Sequence, residues 1–262
     1  MLAGTDLRKQ RRLSEVLSDS FNILFAHWRQ LAIISVPVVV ANVAFSLVVL
    51  AITDSLPANE EDWTTDEAAR FALLTGGALL VSVPMIFVLQ QLVTGGAVEY
   101  LDESDKGNPI APSEALDRAQ ANIGALIGAT LRAAIIVILF SITIVGIPWG
   151  IYRAVRWVFL SQVIMIEGLT GEAVLARSAE LVSGRWWNTL GRLLVVGLVV
   201  GIPVGLLQQA LMEAAPGIVG TILSSATGFI TVPFGIIGLS LMFFDLRARK
   251  GNDGGPPAQP VP

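Results

Sequence analysis

Residues 152–192, YRAVRWVFLSQVIMIEGLTGEAVLARSAELVSGRWWNTLGR, decide how this chain folds. They begin with an apolar run that carries Arg153 and Arg156 and closes on Glu167. A stretch with apolar residues at helical spacing follows, and then Trp186-Trp187 open the next apolar run. Charge at the end of an apolar run, an amphipathic stretch and an aromatic pair mark a helix that leaves a bilayer, lies along its surface and re-enters. The rest of the chain varies this unit.

Composition agrees. Apolar residues make up 53% of the chain, charged residues only 15%, and the mean hydropathy is +0.69. A soluble domain is about a quarter charged, so lipid solvation explains the excess better than a large core. Six apolar runs, 31–52, 71–93, 124–145, 149–166, 190–212 and 218–244, approach or exceed the roughly 17–25 residues of a crossing helix. A helix is the open element that satisfies its own backbone in lipid. The expected class is therefore all-α: a polytopic bundle of six transmembrane helices in three hairpins, 31–93, 124–166 and 190–244. Each hairpin follows a cytosolic amphipathic helix, at 1–30, 112–123 and 171–185. The run 31–52 is too long for a signal-peptide core and is read as an uncleaved first helix. Runs three and four join through Val145-Gly146-Ile147-Pro148, read as a tight turn.

Lysine and arginine placement sets the orientation. Arg8, Lys9, Arg11, Arg12 and Arg29 precede the first run; Lys106, Arg118, Arg177 and Arg185 fall in even-numbered loops; Arg247, Arg249 and Lys250 follow the last run. The opposite side has Arg70 among Asp54, Glu60, Glu61, Asp62, Asp66 and Glu67. Both termini are expected in the cytoplasm. Within 1–30, Leu13, Val16, Leu17, Ser20, Phe21, Leu24 and Trp28 share one helical face. That face suits either the membrane surface or the protein's own cytosolic side. Segment 251–262, rich in glycine and proline, cannot pack and is expected to be a disordered tail.

Val16-Leu17, Ser20, Ile23-Leu24 and His27-Trp28 align with Val174-Leu175, Ser178, Leu181-Val182 and Arg185-Trp186, and Ala115-Leu116, Ala119 and Asn122-Ile123 form a weaker third copy. An even number of crossings per unit makes such repeats parallel. Ser178 lies on the apolar face and is expected to bond back to the carbonyl four residues earlier.

Arg153, Arg156-Trp157, Glu167-Gly168, Gly171, Arg177-Ser178 and Gly184-Arg185-Trp186-Trp187 carry a resemblance. Over residues 152–194 the chain resembles the glycerophosphoryl diester phosphodiesterase membrane domain family of bacterial and archaeal integral membrane proteins. Gly107 and Glu114-Ala115-Leu116 fit it more loosely. In some members this domain precedes a phosphodiesterase barrel, a fold of about 250 residues. The resemblance implies the membrane part alone, in a prokaryotic cytoplasmic membrane, with any catalysis left to a separately encoded enzyme.

The candidate chemistry is sparse. Arg153 and Arg156, in the outer to middle part of the fourth run, suit an anionic site such as a lipid headgroup. Against that, both can snorkel to the outer surface beside Trp149 and Tyr152. Glu167 is expected to pair with Arg132 or Arg192. Trp28, Trp186 and Trp187 read as interfacial anchors. Gly197, Gly201 and Gly205, like Gly124 and Gly128, recur every four residues and read as helix-packing positions. Asn42, Gln90, Gln91, Gln162, Gln208 and Gln209 read as interhelical hydrogen bonds. Pro37, Pro84, Pro203 and Pro233 predict kinks. The chain has no cysteine and one histidine, His27, and no nucleophile elbow, P-loop or zinc motif. The reading is a non-enzymatic protein without metal or cofactor that organises membrane lipids or other membrane proteins. The alternative is a permease for an anionic amphiphile using Arg153 and Arg156. No basic, aromatic-interleaved surface points to nucleic acid.

Overall fold

Long apolar runs without strand periodicity make helix, and a computed structural model, which describes residues 7, 9–55 and 64–252, has no strand among them. The all-α bundle is the observed class. Helix α1 (Leu13–Ala26) buries Val16, Ser20, Ile23 and Leu24 on one face. The chain breaks at His27, and α2 spans Trp28–Asp54. The long α3 covers Thr65–Asp105. The Thr64 hydroxyl caps it, accepting from the Glu67 N–H while the Glu67 carboxylate accepts from the Thr64 N–H. The Thr64 N–H and hydroxyl both donate to the Glu67 carboxylate and hold its pKa below the usual range. A short α4 (Pro112–Ala121) starts on proline. Then come α5 (Ile123–Ser141), a 3-10 turn at Ile144–Gly146, α6 (Ile147–Arg156), α7 (Leu160–Glu167), α8 (Glu172–Val182), α9 (Trp186–Ala214), α10 (Ile218–Ala226) and α11 (Gly228–Asn252).

Five helical stretches among the described residues are long and apolar enough to cross a bilayer, and a sixth joins them if the bent stretch Ile144–Glu167 plus Glu172–Val182 is included. The chain is a multi-pass membrane protein. Its boundaries differ from the sequence expectation where tertiary contacts intervene. The second helix continues past Val93 to Asp105, because its polar last turns pack on α4. The fourth expected span is two helices, α6 and α7, and the sixth divides into α10 and α11 at Thr227. The reversal after α5 is a 3-10 turn closed by the Thr143 hydroxyl, which accepts from the Gly146 N–H at 3.1 Å. Trp28 opens α2 instead of closing α1. Gly251 and Asn252 complete α11; the rest of the expected tail, 253–262, lies outside the described residues, as do Arg8, Glu60, Glu61 and Asp62.

The core sits at one end. Val16, Ile23, Leu31, Ile34, Val93, Leu101, Leu126, Phe159, Val182, Phe243 and Phe244 belong to one buried cluster. These come from α1, the start of α2, the end of α3, α5, the junction before α7, α8 and the second half of α11. The most apolar window of Ile218–Gly251 is 67% buried, against 6% for those of α3 and α9, so α11 is the axis of the bundle. At the other end the helices stand apart. Leu80, Ile144 and Leu206 are each largely exposed. An apolar band this wide is not a water-facing surface; lipid covers it.

Close helix approach occurs where the sequence reading did not place it. A Cβ on Gly95 would meet Leu126 Cδ1 at 2.8 Å and Ala119 Cβ at 3.1 Å; one on Gly96 would meet Leu116 Cδ2 at 3.0 Å. These two glycines let α3 lie against α4 and α5. Gly197, Gly201, Gly205, Gly124 and Gly128 have open space within 4 Å of an added Cβ, so none packs against another helix of this chain. Spacing alone allowed packing; the faces of α5 and α9 that carry these glycines are exposed.

Candidate functional site

Two glycines with positive φ, Gly168 (66°) and Gly171 (65°), make the turn between α7 and α8. The chain bends there by 115°. This folds α8 back onto the junction between α6 and α7, where residues 157–159 interrupt the helix. An interrupted helix leaves backbone groups without partners, which is costly away from water. Ser178, fully buried on α8, supplies them: its Oγ donates to the Arg156 carbonyl at 2.9 Å and accepts from the Phe159 N–H at 3.2 Å. The expected bond from Ser178 to its own helix is therefore replaced by a tertiary one. Ser20, aligned with it, does bond back, to the Val16 carbonyl at 2.7 Å.

Arg153 and Arg156 occupy the last turn of α6, beside this junction. With Trp157, Ala176, Ala179, Glu180 and Ser183 they line an open groove of about 470 Å³. The Arg153 guanidinium lies 5.4 Å from the Trp157 ring centroid, and that of Arg156 lies 5.5 Å from Tyr152. Stacking on a ring orients an arginine and leaves its N–H groups available. Arg156 Nη1 also approaches the Tyr152 hydroxyl at 3.4 Å. Glu180 is the groove's carboxylate, and it bonds Arg177 at 2.9 Å. Among the described residues neither Arg153 nor Arg156 has a carboxylate partner. Both lie beside α8, and next to them Trp186, opening α9, donates from Nε1 to the Tyr152 carbonyl at 3.1 Å.

The ion pairs also differ from expectation. Glu167 accepts from Arg177 at 2.8 and 3.1 Å and lies 3.6 Å from Arg247. The bond to Glu167 holds Arg177 above even the usual arginine range. Arg132 sits 3.4 Å from the exposed Glu172. Arg192 pairs with Asp245, a residue sequence reasoning passed over. Asp245 is fully buried, and its other oxygen takes Arg249 at 2.8 Å and the Arg11 N–H at 2.6 Å. The Arg11 carbonyl in turn accepts from Arg192 at 3.2 Å and Arg249 at 2.9 Å. A buried carboxylate with so many charge-assisted donors is satisfied, and it ties the N-terminal segment to α9 and α11. The signal was present, an acid directly after the apolar Met242-Phe243-Phe244.

Gln91 and Gln208 make the expected interhelical bonds, to Thr130 at 3.1 Å and Thr227 at 2.6 Å. Gln208 thereby serves the break between α10 and α11. Asn42, Gln90 and Gln209 bond within their own helices, and both amide atoms of Gln162 are buried without a hydrogen-bond partner among the described residues. Trp28 and Trp187 are exposed, and Trp186 packs on Trp187 and Tyr152. His27 Nδ1 lies 2.8 Å from the Tyr100 hydroxyl, and burial lowers its pKa. Comparison of the chain with known proteins returned no matching family model, no similar curated protein and no similar solved structure.

Proposed function

We propose that this is a non-enzymatic membrane protein that holds anionic lipid headgroups at the cytosolic interface, with the Arg153–Arg156 groove as its headgroup site. One observation carries the reading: two oriented arginines without a carboxylate partner line an open groove beside the amphipathic α8. Arginine N–H groups match phosphate oxygens in geometry and charge. The basic N-terminal segment and the lysine and arginine asymmetry support a cytoplasmic location for both termini, next to anionic lipid. The three α1-, α4- and α8-type units are read as a parallel repeat forming a surface platform. The resemblance to the phosphodiesterase-linked membrane domain favours a prokaryotic cytoplasmic membrane and a separately encoded enzyme as partner. The sequence has no cysteine, and its one histidine is engaged with Tyr100, which disfavours catalysis by this chain.

The test is retention of phosphatidylglycerol against phosphatidylcholine by purified protein in native mass spectrometry. Arg153→Gln with Arg156→Gln should weaken retention of the anionic lipid by about tenfold or more, the worth of one charge-assisted hydrogen bond. Equal retention of both lipids by the unmodified protein would sink the proposal. A permease for an anionic amphiphile is the second reading, favoured by the helix break directly after Arg156. Uptake into proteoliposomes that the same double substitution abolishes would select it.

A further inference from the structure

The far end of the bundle holds a second concavity, unrelated to the arginine groove. A space of about 590 Å³ opens between the last turns of α2, the last turns of α9, and α10. It has the size of a small-molecule site, about 300–1,000 Å³. Among the described residues its lining includes no charged side chain, yet hydroxyls and amides converge on it. Ser35 of α2 and Ser82 of α3 are quenched internally, donating to the Leu31 and Ala78 carbonyls, and within the lining itself Thr53 donates to the Val49 carbonyl. Ser46 and Ser225 make no such bond among the described residues. Gln208 spends its amide N–H groups on Thr227 and the Ser224 carbonyl, at 2.6 and 3.3 Å, which leaves its carbonyl oxygen free as an acceptor. Unsatisfied polar groups are expensive in an apolar band. Three of them facing one space call for a hydrogen-bonding occupant.

Phe45 also borders a wholly apolar groove of about 290 Å³ between α2 and α3, lined by Val48, Val81 and Met85 among others. A chamber with uncharged polar groups set among Phe45, Val49, Leu50 and Met212, beside an apolar slot, is complementary to a molecule with one hydroxyl head and one hydrocarbon chain. A charged head would find no counter-ion there, and a pure hydrocarbon would leave the three polar groups unmet.

We propose that this chamber binds an uncharged long-chain alcohol, its hydroxyl among Ser46, Ser225 and the Gln208 carbonyl and its chain passing Phe45 into the α2–α3 slot. The test uses a diazirine-bearing analogue of oleyl alcohol on the detergent-purified full chain. Crosslinks should concentrate on peptides 44–53 and 208–225, and oleyl alcohol should displace them where octadecane and oleate do not. Crosslinks spread over the apolar surface in proportion to exposure, or equal competition by oleate, overturn the proposal. Ser46→Leu with Ser225→Leu should lower crosslinking at these peptides about tenfold, through loss of two hydrogen bonds, and leave background labelling of α5 unchanged. Undiminished crosslinking in that variant also overturns it, and if the variant misfolds the competition result on the unmodified protein decides.

Discussion

Ser178 and Asp245 are the residues through which this structure closes its gaps. Each is buried, and each bonds groups distant in sequence: Ser178 serves the α6–α7 break, and Asp245 joins Arg11 and Arg192, with Arg249 of its own helix as a further donor. Neither side chain is chemically unusual; position alone gives it the role. His27 is a third case, since burial lowers its pKa from the ordinary 6.5. The unfolded chain then takes up a proton more readily than the folded one, so acidification favours unfolding. Stability should be at its plateau above pH 6.5 and decline as pH falls through that value. With no other histidine in the chain, His27→Gln should flatten this slope in thermal unfolding followed by circular dichroism.

At the scale of helices, small residues matter where a neighbour is present. Gly95→Leu places a side chain against Leu126 and Ala119 and should destabilise by about 1–3 kcal/mol or more, as overpacking does. Gly201→Leu projects into open space and should change stability by no more than about 0.5 kcal/mol. Unfolding midpoints in detergent check both. A loss at Gly201→Leu that shrinks with protein dilution would reveal a second copy seated on α9. The amphipathic pattern of α1 was legible in the sequence, but not its partner. The structure docks it: Phe21 meets Phe234 of α11 with ring centroids 4.8 Å apart. Helical spacing identifies an apolar face without saying whether lipid or protein covers it.

For the whole molecule, the proposed topology places α1 in the cytoplasm and the α2–α3 connection outside. The absence of cysteine makes labelling clean. In spheroplasts an impermeant maleimide should modify Ser55→Cys at once and Ser18→Cys only after lysis; both positions are exposed. The reverse order would invert the protein and remove anionic cytoplasmic lipid from the argument.

The all-α class and the helix-rich, membrane-crossing character of this protein were determined by the sequence alone, because long apolar runs leave the backbone no other way to satisfy itself in lipid. Approximate span positions followed from the same hydropathy. The tertiary structure decided the rest: the extension of α3 to Asp105, the breaks at residues 157–159 and Thr227, the exchange of partners by Glu167 and Arg192, and the place of Arg153 and Arg156 beside α8. Hydropathy counts apolar atoms along one segment, whereas breaks, ion pairs and grooves depend on groups that a distant segment brings within about 3 Å, the reach of a hydrogen bond.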